Sequence, residues 1–145
     1  AAVEVDVETG MVKFLKYVIV HDCGNQLNPG IVEGMVIGST VHGIGAVLLE
    51  EFVYNEDGQL VTTSFMDYMK PVAAGLPHFE TGHIVSPCPY TLLGTKSVGE
   101  GGAIGSLAAV ANAVEDALSP FGVKVTSLPI TPEKVVRAVK ETKVI

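Results

Sequence analysis

The first 22 residues alternate between apolar and polar side chains, the pattern of half-buried β-strands. Valines alternate with acidic residues over 3–7, a Glu-Thr-Gly turn follows at 8–10, and a second apolar run covers 12–20. This arrangement predicts a β-hairpin. The second run is almost wholly apolar over 17–20, so we expect its strand to be central in the sheet and buried on both faces.

Two longer segments, 31–51 and 103–118, carry helical spacing and are rich in glycine or alanine. The expected apolar faces are Ile31, Met35, Gly38, His42, Gly45 and Leu49 in the first, and Ile104, Leu107, Ala108, Ala111, Val114 and Leu118 in the second. Each glycine inside a helix costs on the order of 1 kcal/mol relative to alanine. Two explanations remain open for the glycines, namely tight helix packing and the close approach of a flat ligand.

Shorter patterns complete an α+β prediction of β-hairpins and mixed sheet packed with Gly/Ala-rich helices. They indicate a hairpin over 52–62 with an Asp-Gly turn, a strand over 79–85, a short strand over 123–126 and a helix beginning at 131–133.

Charge and composition narrow the function. The 9 basic and 16 acidic residues give a net charge of −7, which argues against nucleic acid as a partner. No run approaches the roughly 20 apolar residues of a membrane span, and no export leader is visible, so we expect a cytoplasmic protein. Cys23 and Cys88 match no metal-binding spacing and are interpreted as reduced thiols. Since the chain opens inside a strand pattern, we interpret it as part of a larger polypeptide.

His21 and Asp22 follow the predicted central strand. Neighbouring strand residues point to opposite faces, so these two cannot easily chelate one ion. We expect Asp22 to cap a loop and His21 to be hydrogen-bonded.

The glycine-rich stretch 94–102 leads directly into the second helix and places Glu100 at the junction. A helix start offers free N–H donors and a positive dipole end. From these residues alone, Glu100 is equally well explained as a functional carboxylate in a cavity or as a helix cap.

The order of several motifs resembles the C-terminal part of the molybdenum hydroxylase large subunit, the family of xanthine dehydrogenases, aldehyde oxidoreductases and aerobic carbon monoxide dehydrogenases. The matching residues cover nearly the whole chain and comprise HDCG at 21–24, NP at 28–29, VEG at 32–34, GIG at 43–45, EE at 50–51, SFMDY at 64–68, KSVGEGG at 96–102 and LPITPE at 128–133. On this resemblance, residues 1–145 are the C-terminal part of a molybdenum-cofactor-binding domain.

The resemblance implies a molybdenum–molybdopterin cofactor, in some relatives a cytosine dinucleotide, with iron–sulfur clusters and FAD on other domains or subunits. It implies hydroxylation of an aldehyde, an N-heterocycle or a similar small substrate, with Glu100 as general base. The implied cofactor-binding residues are His42, Gly43, Lys96, Ser97, Val98 and Gly99. His42 stands where relatives often have Gln, and Met35 departs in the same way. The implied partners are the rest of the large subunit and the iron–sulfur and flavin components.

Two alternatives follow from the same residues. The chain can be a small subunit that completes a split enzyme, or a non-catalytic relative in which His42 marks loss of the cofactor site. If the chain is a fragment, it holds only part of the cofactor site, and we then expect the isolated chain to bind no molybdenum and to be inactive.

Overall fold

The computed structural model describes residues 1–142 and confirms the α+β fold. Within this range its elements are β1 (Ala2–Val5), β2 (Val12–His21), α1 (Pro29–Leu48), β3 (Phe79–His83), α2 (Gly101–Leu118) and α3 (Pro132–Thr142), with short 3₁₀ helices at Ala73–Gly75 and Ser119–Phe121.

The three strands form a sheet in the order β1-β2-β3. The antiparallel pair of β1 and β2 confirms the predicted hairpin and the central position of β2, while β3 pairs with β2 in parallel. Burial on both faces of β2 was a wrong prediction. Tyr17 is 4% exposed, but Val18 and Val20 are 48% and 59% exposed. No element of the described chain covers that second face.

Helix α1 covers Pro29–Leu48, so it begins two residues earlier and ends three residues earlier than the predicted segment 31–51. Its start is stabilised by the Asn28 side chain, which accepts a hydrogen bond from Ile31 N, and by Pro29 in the first turn. The predicted apolar face is wrong. The buried residues include Val32, Val36 and Ile44, whereas Ile31, Met35 and His42 are exposed. By length and composition alone α1 is apolar enough to cross a membrane, although it also supplies buried residues to the core as helices of globular domains do.

Helix α2 packs against α1 through small side chains rather than through its largest apolar ones. Its buried residues are spaced four apart: Gly102, Ser106, Val110, Val114 and Leu118. The prediction that Ile104 and Leu107 belong to the buried face is wrong, since they are 68% and 39% exposed. Small residues are buried there because the two helix backbones lie too close together for larger ones.

Two glycines permit this close crossing. A Cβ at Gly43 would overlap Ser106 Oγ and the carbonyl of Ala103, and a Cβ at Gly102 would overlap the carbonyl of Val36. Tight helix packing therefore explains Gly43. It does not explain Gly38, where a Cβ would meet no atom of the described chain within 4 Å.

The main core lies where α1, α2 and α3 meet the sheet, and includes Val47, Val110, Val114, Leu118, Ile130, Val135 and Val139. The predicted start of α3 is confirmed, because Thr131 Oγ1 accepts a hydrogen bond from Lys134 N at 3.3 Å.

Two strand predictions are corrected. Residues 123–126 form no strand and pair with none in the described part of the chain. Instead, the Glu115 carboxylate accepts hydrogen bonds from Val125 N and Lys124 Nζ, each at 2.9 Å. These bonds lower the pKa of Glu115, and the bond from Val125 N has the largest effect. The hairpin over 52–62 contracts to a single bridge between Tyr54 and Leu60 around the Gly58 turn.

Candidate cofactor-binding site

The loop that leads into α2 is fixed to the end of β2 by backbone hydrogen bonds. Cys23 O accepts from Lys96 N at 2.7 Å, and Gly94 O accepts from Asn25 N at 3.2 Å. Gly24 has a φ of 65°, and a Cβ there would overlap the Gly94 carbonyl. Only glycine satisfies both conditions. The two segments therefore form one unit that sets the position of the start of α2.

Asp22 holds this unit together, which confirms its predicted role as a loop cap. Its carboxylate accepts hydrogen bonds from Gly24 N at 2.8 Å, from Ser86 N at 3.3 Å and from Lys96 Nζ at 2.9 Å. These bonds lower the pKa of Asp22 from 3.8 to about 2, and the bond from Lys96 Nζ has the largest effect. The Lys96 ammonium, an expected cofactor ligand, is thus paired with Asp22, but an ammonium retains two further donors.

Glu100 occupies the N-cap position of α2, yet its side chain makes no capping hydrogen bond. The residue is exposed, and the first turn of α2 contains no acidic residue. The structure therefore does not bear out the interpretation of Glu100 as a helix cap. Its carboxylate stays available, and within residues 1–142 no other side chain accepts a hydrogen bond from the first N–H groups of α2.

His42 and Gly43 lie on α1 where it crosses the first turns of α2. Gly43 is buried against Ala103 and Ser106, whereas His42 is exposed. The crossing thus brings the α1 residues expected to contact a cofactor to the same end of α2 that carries Glu100.

The remaining predicted ligands belong to the loop before α2. Ser97 is exposed, Gly99 is half-buried with open space at its Cβ position, and Val98 packs against the small cluster of Cys23, Val32 and Val36. Val98 therefore anchors the loop, while Ser97 and Gly99 remain accessible.

These donors suit an anionic cofactor that carries a phosphate. An ammonium, a hydroxyl, an imidazole and the free N–H groups of a helix start all donate hydrogen bonds, and the helix dipole favours negative charge. The residues present therefore fit the molybdopterin group that the sequence motifs imply.

Sequence reasoning missed a second group of reactive side chains, formed by His21, Cys23 and His83. One potential ligand atom from each lies within 4.8 Å of the other two. The predicted hydrogen bond is absent at His21 Nδ1, which is buried without a partner in the described chain. The available signal was the two-residue spacing of His21 and Cys23 together with a histidine at the end of the predicted strand 79–85.

Comparison with known proteins also indicates a cofactor-binding domain. The family model of the molybdopterin cofactor-binding domain matches residues 1–77. The nicotine 6-hydroxylase large subunit of Paenarthrobacter nicotinovorans is 52% identical over 138 residues, which cover 95% of this chain and 17% of that protein. The carbon monoxide dehydrogenase large chain of Hydrogenophaga pseudoflava is 34% identical over 139 residues, covering 96% of this chain and 17% of that protein.

Among solved structures, quinoline 2-oxidoreductase from Pseudomonas putida 86 superposes with a TM-score of 0.93 at 41% identity, covering 96% of this chain and 18% of that one. The chain belongs to the molybdopterin cofactor-binding domain family of the molybdenum hydroxylases. It spans about 17% of the length of the curated relatives that it matches.

Proposed function

We propose that this chain is part of the catalytic subunit of an oxidoreductase that hydroxylates a small organic substrate, with Glu100 as the general base. The observation that carries this assignment is the state of Glu100. It stands at the start of α2, exposed, with a carboxylate that makes no capping bond. A carboxylate at that position that only stabilised the helix would accept hydrogen bonds from the first turn.

The chain's own residues have separable roles in this proposal. Glu100 accepts a proton from the reacting group. His42 donates an imidazole N–H to the cofactor, and Lys96 and Ser97, with the N–H groups of α2, bind its anionic part. Gly99 leaves room for close approach of the backbone.

When bound, the molybdenum–molybdopterin group supplies the oxygen-transfer and redox chemistry, while the protein orients the reactants and holds the proton acceptor. Gly43 and Val98 would hold these cofactor-binding residues in position through packing. Gly43 allows α1 to approach α2, and Val98 fixes the loop on the Cys23 cluster.

The substrate that we propose is an aromatic N-heterocycle. Support comes from the names of two similar proteins, a nicotine 6-hydroxylase and a quinoline 2-oxidoreductase, since nicotine and quinoline both contain a pyridine-type ring. A carbon beside such a ring nitrogen is electron-poor. Aldehydes remain the second substrate class.

The same reasoning suggests the assembly. Relatives are named as large subunits or large chains, and this chain matches a small share of each. We therefore propose that the rest of a large subunit completes the cofactor site, that iron–sulfur and FAD components carry the electrons away, and that the enzyme works in the cytoplasm. Use of the cytosine dinucleotide form of the cofactor belongs to the same proposal.

Replacement of Glu100 tests the role of the base in the assembled enzyme. Glu100→Gln should lower turnover by at least about a hundredfold while molybdenum content stays unchanged, because the amide cannot accept the proton. Glu56→Gln, on the exposed turn between Tyr54 and Leu60, is the matched control and should leave turnover unchanged. Full turnover in Glu100→Gln would refute the assignment. A wild-type assembly without molybdenum would instead favour the non-catalytic alternative.

A further inference from the structure

His21, Cys23 and His83 meet at the end of the sheet because of strand register. In the parallel pair of β2 and β3, His21 lies directly opposite His83. Residues paired in this way point to the same face of a sheet. Cys23 lies two residues beyond the end of β2, where its carbonyl accepts the hydrogen bond from Lys96 N, and its thiol lies near both histidines.

We propose that these three side chains bind a transition-metal ion, and specifically Zn²⁺. Their ligand atoms already lie within 4.8 Å of one another. Zinc bonds of about 2.3 Å to sulfur and about 2.0 Å to nitrogen place tetrahedral ligands roughly 3.5 Å apart. Small side-chain rotations are enough to close that difference.

Both histidines present a buried nitrogen that nothing in the described chain satisfies. Nδ1 of His21 and Nδ1 of His83 are buried and lack a hydrogen-bond partner. A buried polar atom without a partner is costly and uncommon in folded proteins. Two such atoms beside one buried cysteine indicate that a ligand is expected there.

The hydrogen bonding of His83 selects the tautomer that a metal needs. Its Nε2 lies 3.1 Å from the Gly24 carbonyl oxygen, which can only accept a hydrogen bond. Nε2 must therefore carry a proton, and in the neutral imidazole Nδ1 then keeps a free lone pair. Metal-binding histidines commonly donate their other N–H to a backbone carbonyl in this way, which orients the ring.

The chemistry of the three ligands favours zinc over hard cations. Cys23 is 2% exposed, and its thiol loses a proton to solvent when it binds, so the thiolate charge is offset by the metal. Two imidazoles and one thiolate form a donor set that zinc prefers, whereas Mg²⁺ and Ca²⁺ prefer oxygen. His21 and His83 also line a cavity of about 200 Å³ with Gln26 and Glu33 on its wall, which leaves room for water as the fourth ligand.

Such a site would connect the end of the sheet to the start of α2. The His21 ring lies against Gly101, where a Cβ would overlap its Nε2. A bound ion would thus stabilise β2, β3 and the loop that carries Glu100. The proposal does not depend on Glu100 being the base.

The test uses the assembled protein that contains this chain, stripped with a chelator and then dialysed against Zn²⁺. Wild type should hold one more zinc per chain than Cys23→Ser or His83→Gln, each of which should bind zinc at least about tenfold more weakly. Cys88→Ser, which removes the cysteine outside the group, should bind zinc as wild type does.

X-ray absorption at the zinc edge of the wild-type protein tests the site without any variant. The expected spectrum shows one sulfur at about 2.3 Å and nitrogen ligands at about 2.0 Å. Zinc without a sulfur ligand, or equal zinc contents in wild type and both variants, would overturn the proposal. In that case the three side chains are only packed together.

Discussion

At the scale of single residues, Asp22 shows how one carboxylate organises the loop on which the candidate site depends. It receives three hydrogen bonds, from the backbone of Gly24 and Ser86 and from the Lys96 side chain. The sequence suggested a loop cap because His21 and Asp22, as neighbours at the end of a strand, cannot easily chelate one ion. The partners at Ser86 and Lys96, more than 60 positions away in the chain, came only from the tertiary structure.

The depressed pKa of Asp22 predicts a pH-dependent stability. Its value is about 2 in the folded chain against an ordinary 3.8, so the carboxylate contributes stability that is fully present above about pH 4 and is lost as the pH falls through 2. Asp22→Asn should therefore melt at a lower temperature than wild type at pH 6, and this difference should shrink towards pH 2. Thermal melts of both proteins across this range measure it.

The control for this experiment is Asp57→Asn, in the exposed turn that precedes Gly58. We expect it to change the melting temperature little at any pH, because surface substitutions away from such hydrogen-bonded features have small effects. A difference between wild type and Asp22→Asn that persists unchanged at pH 2 would show that the pKa shift does not stabilise the fold.

At the scale of secondary structure, α1 and α2 can cross at a short distance because the residues at their contact have little or no side chain. Glycine has no Cβ, so Gly43 and Gly102 let the helix backbones approach more closely than any other residue would allow. This crossing brings the start of α2, and with it Glu100, to the part of α1 that carries His42.

Substitution of two α1 glycines by alanine separates the effect of helix–helix packing on stability from the effect of helix propensity. Gly43→Ala should destabilise the chain by about 1–3 kcal/mol, because its methyl group would overlap Ser106 and the Ala103 carbonyl. Gly38→Ala, in the same helix but with open space, should stabilise it by about 1 kcal/mol. Urea unfolding of the two variants and wild type gives both values.

Equal effects of the two substitutions would contradict the close crossing. A stabilising Gly38→Ala that impairs assembly with partner subunits would instead show that the open side of α1 is covered in the complete enzyme.

The extents of these helices were predictable to within two or three residues, but their buried faces were not. In α1 the spacing of Ile31 and Met35 is as regular as that of Val32 and Val36, so periodicity fits either face. In α2 the residues that pack are small, which makes Ile104 and Leu107 look like the core. Which face is buried depends on neighbouring elements that the local pattern does not contain.

At the scale of the whole molecule, several large apolar faces remain uncovered by residues 1–142. Exposed large side chains occur on β2, on both long helices and in the segment 52–93; examples are Val20, Ile31, Phe65, Met66, Tyr90, Leu92 and Ile104, each more than half exposed. Soluble monomers rarely expose large apolar patches, and exposed apolar patches commonly mark surfaces that contact other protein. This feature is typical of a domain that packs against further protein, in agreement with the 17% of each relative that the chain spans.

This surface leads to a prediction for the chain alone. Purified by itself, it should bind no molybdenum cofactor and show no turnover, because these residues supply only part of the groups that would surround the cofactor. Metal analysis by mass spectrometry after incubation with cofactor is the measurement. One molybdenum retained per isolated chain would show that residues 1–145 hold a complete site.

The sequence by itself determined the family, the α+β class, the first hairpin, the presence of the two long helices, the start of α3 at Thr131, and the motif that contains Glu100. These features depend on local chemistry, namely alternation, capping side chains and the order of short motifs. Tertiary structure alone decided which helix faces are buried, that Glu100 does not cap its helix, that Lys96 pairs with Asp22, and that His21, Cys23 and His83 meet. Each of these depends on strand register or helix crossing, which join residues far apart in the chain.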